Sequence, residues 1–202
     1  MKIKFKFLTA AALAVLMALP VLATASEDRS TVNKGISIDD NSTVGDVDSV
    51  NGSIRIGANS FVETVDSVNG SIKLDNDVTV EKDIEAVNGS ITLGSGTKVG
   101  GNVETVNGGI KMENTVVAGD VETYNGQLRI LQSSEVSGNV AVRKSKSWWS
   151  FSKKRKPARV EIGENVVVHG DLIFEHAVEL MLHDTARVGE IIGDDVEMVD
   201  SF

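Results

Sequence analysis

Cysteine is absent from the chain. Disulfides therefore cannot stabilise it, a lipid-modified N-terminal cysteine is excluded, and no thiolate can act as nucleophile or metal ligand. Aromatic residues make up only 4% of the sequence, so the core cannot lean on rings. The only three histidines are His169, His176 and His183, seven apart. In a coil of about twenty residues that spacing places each near a different corner, where they do not converge on a metal. A G-x-S-x-G elbow and a Walker-type loop are also missing. Beyond the N-terminus no apolar run is long enough to cross a bilayer.

The N-terminus itself has the three parts of a secretory signal. Lys2, Lys4 and Lys6 precede an apolar stretch from Phe7 to Leu22, and Ala23-Thr24-Ala25 supplies the small residues read at cleavage. The expected organisation is a signal peptide over residues 1–25 and one domain over 26–202. An exported, periplasmic or cell-envelope location follows.

What is present is a repeat. Residues 47–56 read VDSVNGSIRI, and residues 65–74 read VDSVNGSIKL. Asparagine recurs at Asn33, Asn51, Asn69, Asn88, Asn107 and Asn125, at spacings of 18 or 19. After each comes an alternating pair, from Ile36/Ile38 and Ile54/Ile56 to Leu128/Ile130. Before each sits Val32, Val50, Val68, Val87, Val106 or Tyr124. A further column is Val44, Val62, Val80, Val99, Val117 and Val136. Such self-similarity dictates architecture.

Asn-Gly between alternating apolar residues is a strong hairpin signal. Strands this short, however, make a poor antiparallel sheet. A single-stranded parallel β-helix accounts for more. Each repeat then forms one triangular coil, and equivalent residues stack about 4.8 Å apart. The sequence predicts an all-β solenoid of about eight coils, right-handed by the general preference for parallel crossovers. Like apolar residues stack in one core. The asparagines adopt the left-handed region at their corners and hydrogen-bond along the axis as a ladder.

Stacking also aligns charge. One outward column holds Asp48, Asp66, Glu85, Glu104 and Glu122, and another holds Arg55, Lys73, Thr92, Lys111 and Arg129. Adjacent columns of opposite sign would offset the repulsion within each. A cation-binding role for the acidic column is the sharper alternative, but the repeat lacks the G-G-x-G-x-D pattern of calcium-binding solenoids.

The repeat is interrupted by RKSKSWWSFSKKRKPAR at residues 143–159. The segment holds Arg143, Lys144, Lys146, Lys153, Lys154, Arg155, Lys156 and Arg159, both tryptophans (Trp148 and Trp149), Phe151 and no acid. With three lysines in the signal peptide, only nine of the 20 basic residues remain against all 29 acidic ones. The rod is strongly acidic and its insertion strongly basic. Such a segment suits an anionic lipid or glycolipid surface, pairing with the acidic rod of the same or another copy, or plain solvation. Export argues against nucleic acid as a partner. These residues are the candidate contact site.

The V-x-G-[DN]-V corners at 117–121 and 136–140, and the related 168–172, resemble those of bactofilin-type polymer-forming proteins. The V-N-G-x-I repeats are similar to β-solenoids described as bacterial adhesins. The bactofilin resemblance implies a β-helix that assembles end to end without nucleotide. The chain departs from that pattern in its signal peptide and in the basic insertion. No cofactor, metal site or small-molecule substrate is expected. The function expected is non-catalytic: structural, scaffolding or envelope-contacting. The alternative is a glycan-active or glycan-binding β-helix.

Overall fold

The computed structural model describes residues 26–144 and 156–199. These are all-β, with no helix among them, wound into a parallel β-solenoid of about eight turns. The signal peptide expected over residues 1–25 lies outside the described residues.

Three parallel sheets form the walls. The first has nine strands, from Arg29–Thr31 through Val47–Asn51 and Val65–Asn69 to Ile191–Ile192. The second also has nine, from Ile36–Ile38 to Val196–Met198. The third has six two-residue strands, from Phe61–Val62 to Val167–Val168. Every strand pairs with its equivalent one coil away. Asn51 faces Asn69, Asn69 faces Asn88, and Ile54 faces Ile72. The C-terminal stretch from Ile191 to Val199 contributes one strand to the first sheet and one to the second.

The core follows from alternation. Within Val47–Asn51, Val47 and Ser49 point inward, while Asp48 and Val50 point outward. Val47, Val65, Ile84 and Val103 stack in one buried row, and Ile54, Ile72, Ile91 and Ile110 in another. The third sheet adds Val62, Val80, Val99 and Val117. Each buried aliphatic side chain contributes roughly 1.5–3 kcal/mol. One recurring apolar column does not belong to this core: Val32, Val50, Val68 and Val87 are exposed. They stand three residues after the inward Val47 row, and the Ser49-type position takes the inward place between. Period-two geometry then forces them out.

The corners absorb the variation in length. Two residues link Val62 to Val65, but three link Val80 to Ile84 and Val99 to Val103. The strands nevertheless stay in register, Val65 on Ile84 and Ile84 on Val103.

The left-handed residues lie at a different corner from the one expected. Asn41, Asn59, Asp77, Asn114 and Asn165 have φ between 49° and 59°, joined by Gly96 at 77°. These line the turn between the second and third sheets. The asparagines of the Asn-Gly corner are not among the residues of positive φ. Their glycines serve close approach instead. A Cβ on Gly70 would fall on the carbonyl of Gly52, and one on Gly89 on the carbonyl of Gly70. Only hydrogen at Cα lets successive corners stack at coil spacing.

Candidate functional site

Three ladders run along the corners. At the Asn-Gly corner each side-chain amide donates to the coil before it. Asn51 Nδ2 reaches Asn33 Oδ1 at 3.1 Å, Asn69 reaches Asn51 at 2.9 Å, and the series continues through Asn88 and Asn107 to Asn125. Beneath it, inward hydroxyls cap corner carbonyls: Ser67 Oγ donates to Gly70 O at 3.1 Å and Thr105 Oγ1 to Gly89 O at 2.8 Å. At the V-x-G-[DN]-V corner the acid or amide accepts a backbone N–H from the next coil. Asp120 N donates to Asn102 Oδ1, Asn139 N to Asp120 Oδ1 and Asp171 N to Asn139 Oδ1. Short polar side chains recur there because each must satisfy an amide of the following coil.

The insertion opens at the Asn-Gly corner. Thr123 faces Val142, so Arg143 and Lys144 stand where Tyr124 and Asn125 stand one coil earlier. The chain rejoins the second sheet at Ala158–Ile162, with Val160 on Leu128. Arg143 folds back along the outer face of the first sheet. Its guanidinium pairs with Glu122 at 2.5 Å and with Glu175 at 3.3 Å, and Lys144 N–H donates to Glu175 Oε2 at 2.8 Å. Ala141, in the outward position above Glu122, is fully buried. His176 spans the gap with Nε2 at 3.4 Å from the Tyr124 carbonyl.

Of the other predicted contact residues, Arg159 pairs with Glu179 at 3.5 Å and Lys156 is exposed. Lys146, Trp148, Trp149, Phe151, Lys153, Lys154 and Arg155 lie outside the described residues.

The two charged columns do not neutralise each other. The basic column of the second sheet pairs with carboxylates of its own sheet and corner: Arg55 and Lys73 with Asp75, Lys111 with Glu113, Arg129 with Glu161. The acidic column on the first sheet is stacked in register, Asp48 on Asp66, Asp66 on Glu85, Glu85 on Glu104 and Glu104 on Glu122. Among the described residues, Asp66, Glu85 and Glu104 have no ion pair with a basic side chain. Partial burial, reinforced by Glu85 and Asp48, holds the Asp66 carboxyl up at about 6. Burial and the neighbours Glu122 and Glu85 likewise raise Glu104, while Arg143 acts in the opposite sense.

Between this column and the exposed valines runs a shallow axial groove. Asp66, Glu85 and Glu104 form one wall, and Val68, Val87 and Val106 the other. Sequence reasoning named both columns but missed the groove, because it placed the valines inside. The signal was available: Val47 and Ile84 claim the inward phase of the same strands. Asp66 and Glu85 are neighbouring carboxylates in register, the kind of pair from which acid–base sites are built. The facing wall, however, offers a sugar only methyl groups and no hydrogen-bonding group to orient it. The groove therefore combines an anionic wall with an apolar one.

The histidines have separate partners. His169 Nε2 lies 2.7 Å from Glu135, and His183 Nδ1 2.9 Å from Thr185. No cluster of three or more metal-binding side chains occurs among the described residues. No helix among them is long and apolar enough to cross a membrane. Comparison with family models, with curated proteins and with solved structures finds no match to this chain.

Proposed function

We propose that this protein is an exported, non-catalytic β-solenoid of the cell envelope that serves as a scaffold by stacking end to end. One observation carries the reading: among the described residues, both end coils are open. Strands Arg29–Thr31 and Ile36–Ile38 pair on one edge only, as do Ile191–Ile192 and Val196–Met198. Ile191, Ile192 and Met198 are 42%, 46% and 56% exposed. An unpaired strand edge with apolar side chains is a template for another strand. Here the two ends present the same parallel strand style, so the template fits a second copy of the chain. Export rests on the charged, apolar and A-x-A parts of the N-terminus.

Sedimentation velocity over a wide concentration range tests it. Concentration-dependent higher species are expected, and an Ile192→Lys/Met198→Lys variant reduces them to monomer. A strict monomer at the highest concentration reached would overturn the proposal.

A further inference from the structure

We infer that the carboxylate–valine groove of the first sheet is the docking site for the chain's own basic, aromatic segment, residues 145–155. This inference is independent of end-to-end stacking.

Charge complementarity is the first support. The segment contains Lys146, Lys153, Lys154 and Arg155 with Trp148, Trp149 and Phe151, and no acid. The groove offers Glu85 and Glu104 on one wall and Val87 and Val106 on the other. A cationic and apolar segment therefore meets an anionic and apolar channel, and each half of the groove has a matching kind of side chain.

Continuity is the second. The contact has already begun where the segment leaves the sheet. Arg143 pairs with Glu122, the top carboxylate of the same column. Ala141, the next outward position in the column, is buried between Glu122 and Ile173 beside this arginine.

Reach is the third. The segment leaves at Lys144, at the corner that follows the groove's sheet, above the row of outward valines. Val106 and Val87 lie two and three coils below Arg143, about 10 and 14 Å away at the usual strand spacing. Trp148 and Trp149 follow Lys144 by four and five residues, a span of about 13–17 Å when extended. The tryptophans reach these valines, and the residues after them suffice to return to Lys156. A tethered segment also docks at high effective concentration, which favours it over a copy in solution.

Both tryptophans of the chain lie in this segment, so tryptophan fluorescence excited beyond the absorption of Tyr124 reports on it alone. Acrylamide quenching about threefold weaker than for N-acetyltryptophanamide is expected, independent of protein concentration. A Glu85→Lys/Glu104→Lys variant and a Val87→Thr/Val106→Thr variant each raise quenching to the free-indole value, with the circular dichroism of the solenoid unchanged. Free-indole quenching in the parent overturns the inference, as does quenching indifferent to both variants. Protection that grows with protein concentration assigns the groove to a second copy instead. Protection that appears only with phosphatidylglycerol vesicles assigns the segment to a membrane, and either result rejects docking within the chain. Should the variants misfold, the cysteine-free background allows Ser150→Cys with Val87→Cys. A disulfide within one chain under mild oxidation supports docking, and its absence, or a crosslinked dimer, refutes it.

Discussion

Asn69 lies directly over Asn51: its Nδ2 donates to the Asn51 Oδ1 at 2.9 Å although 18 residues separate them. The same relation repeats on both sides, so an asparagine in the middle of the row makes two such bonds. Asn88 donates to Asn69 and accepts from Asn107. Asn88→Ala removes both. A net value of about 0.5–1.5 kcal/mol per bond gives a loss of about 1–3 kcal/mol, read by urea or thermal unfolding.

The glycine beside each asparagine is set by a different constraint. A Cβ at Gly89 would fall on the Gly70 carbonyl, which is backbone and cannot swing aside. Gly89→Ala is expected to destabilise by about 2–3 kcal/mol, at the upper end of single substitutions. An alanine that stabilised the protein would show that the corners are not in contact.

Valines of the two kinds of column separate cleanly under one substitution. Val80→Thr places a hydroxyl in the core and costs about 1–3 kcal/mol. Val68→Thr, on the outer face, changes stability by no more than about 0.5 kcal/mol. Equal effects in denaturant melts would erase the distinction between inner and outer rows.

The acidic column gives a pH dependence of definite sign. Burial and the charges of Glu85, Asp48, Asp46 and Asp83 raise Asp66 from 3.8 to about 6 in the folded protein. Between these values the folded state binds more protons than the unfolded one. Stability from this group therefore falls as pH rises from about 4 to about 6. Its cost is complete above that window and absent below it. Asp66→Asn should raise the melting temperature at pH 7.5, and the gain should disappear by pH 4. A gain that persists at pH 4 would trace the effect to something other than ionisation.

The winding of the chain was legible because parallel stacking writes itself into sequence as a period. Ile54, Ile72 and Ile91 recur since each packs on the last, at the spacing of 18 or 19 that the sequence shows. The conformation of the corners was not legible. Asn-Gly reads as a left-handed turn in isolation, whereas here glycine answers to the coil below, a contact invisible to local pattern. The left-handed turn is carried instead by Asn41, Asn59, Asp77, Gly96 and Asn114, whose spacing of 18 or 19 is equally regular but which lack the recurring Asn-Gly pair that draws attention. The groove was missed for a related reason. Repetition of valine signals stacking, but only the phase within the strand tells inside from outside.

Every ladder amide donates in one sense. Asn51 gives to Asn33 and Asn125 to Asn107, and the backbone of Asp120 gives to Asn102, always toward the earlier coil. These side-chain ladders give the rod a direction, and its two ends are unlike. Copies that join by continuing this pattern must all point the same way, which forbids a symmetric dimer through like ends. Any fibre so formed is polar, and its two tips recruit new subunits at different speeds.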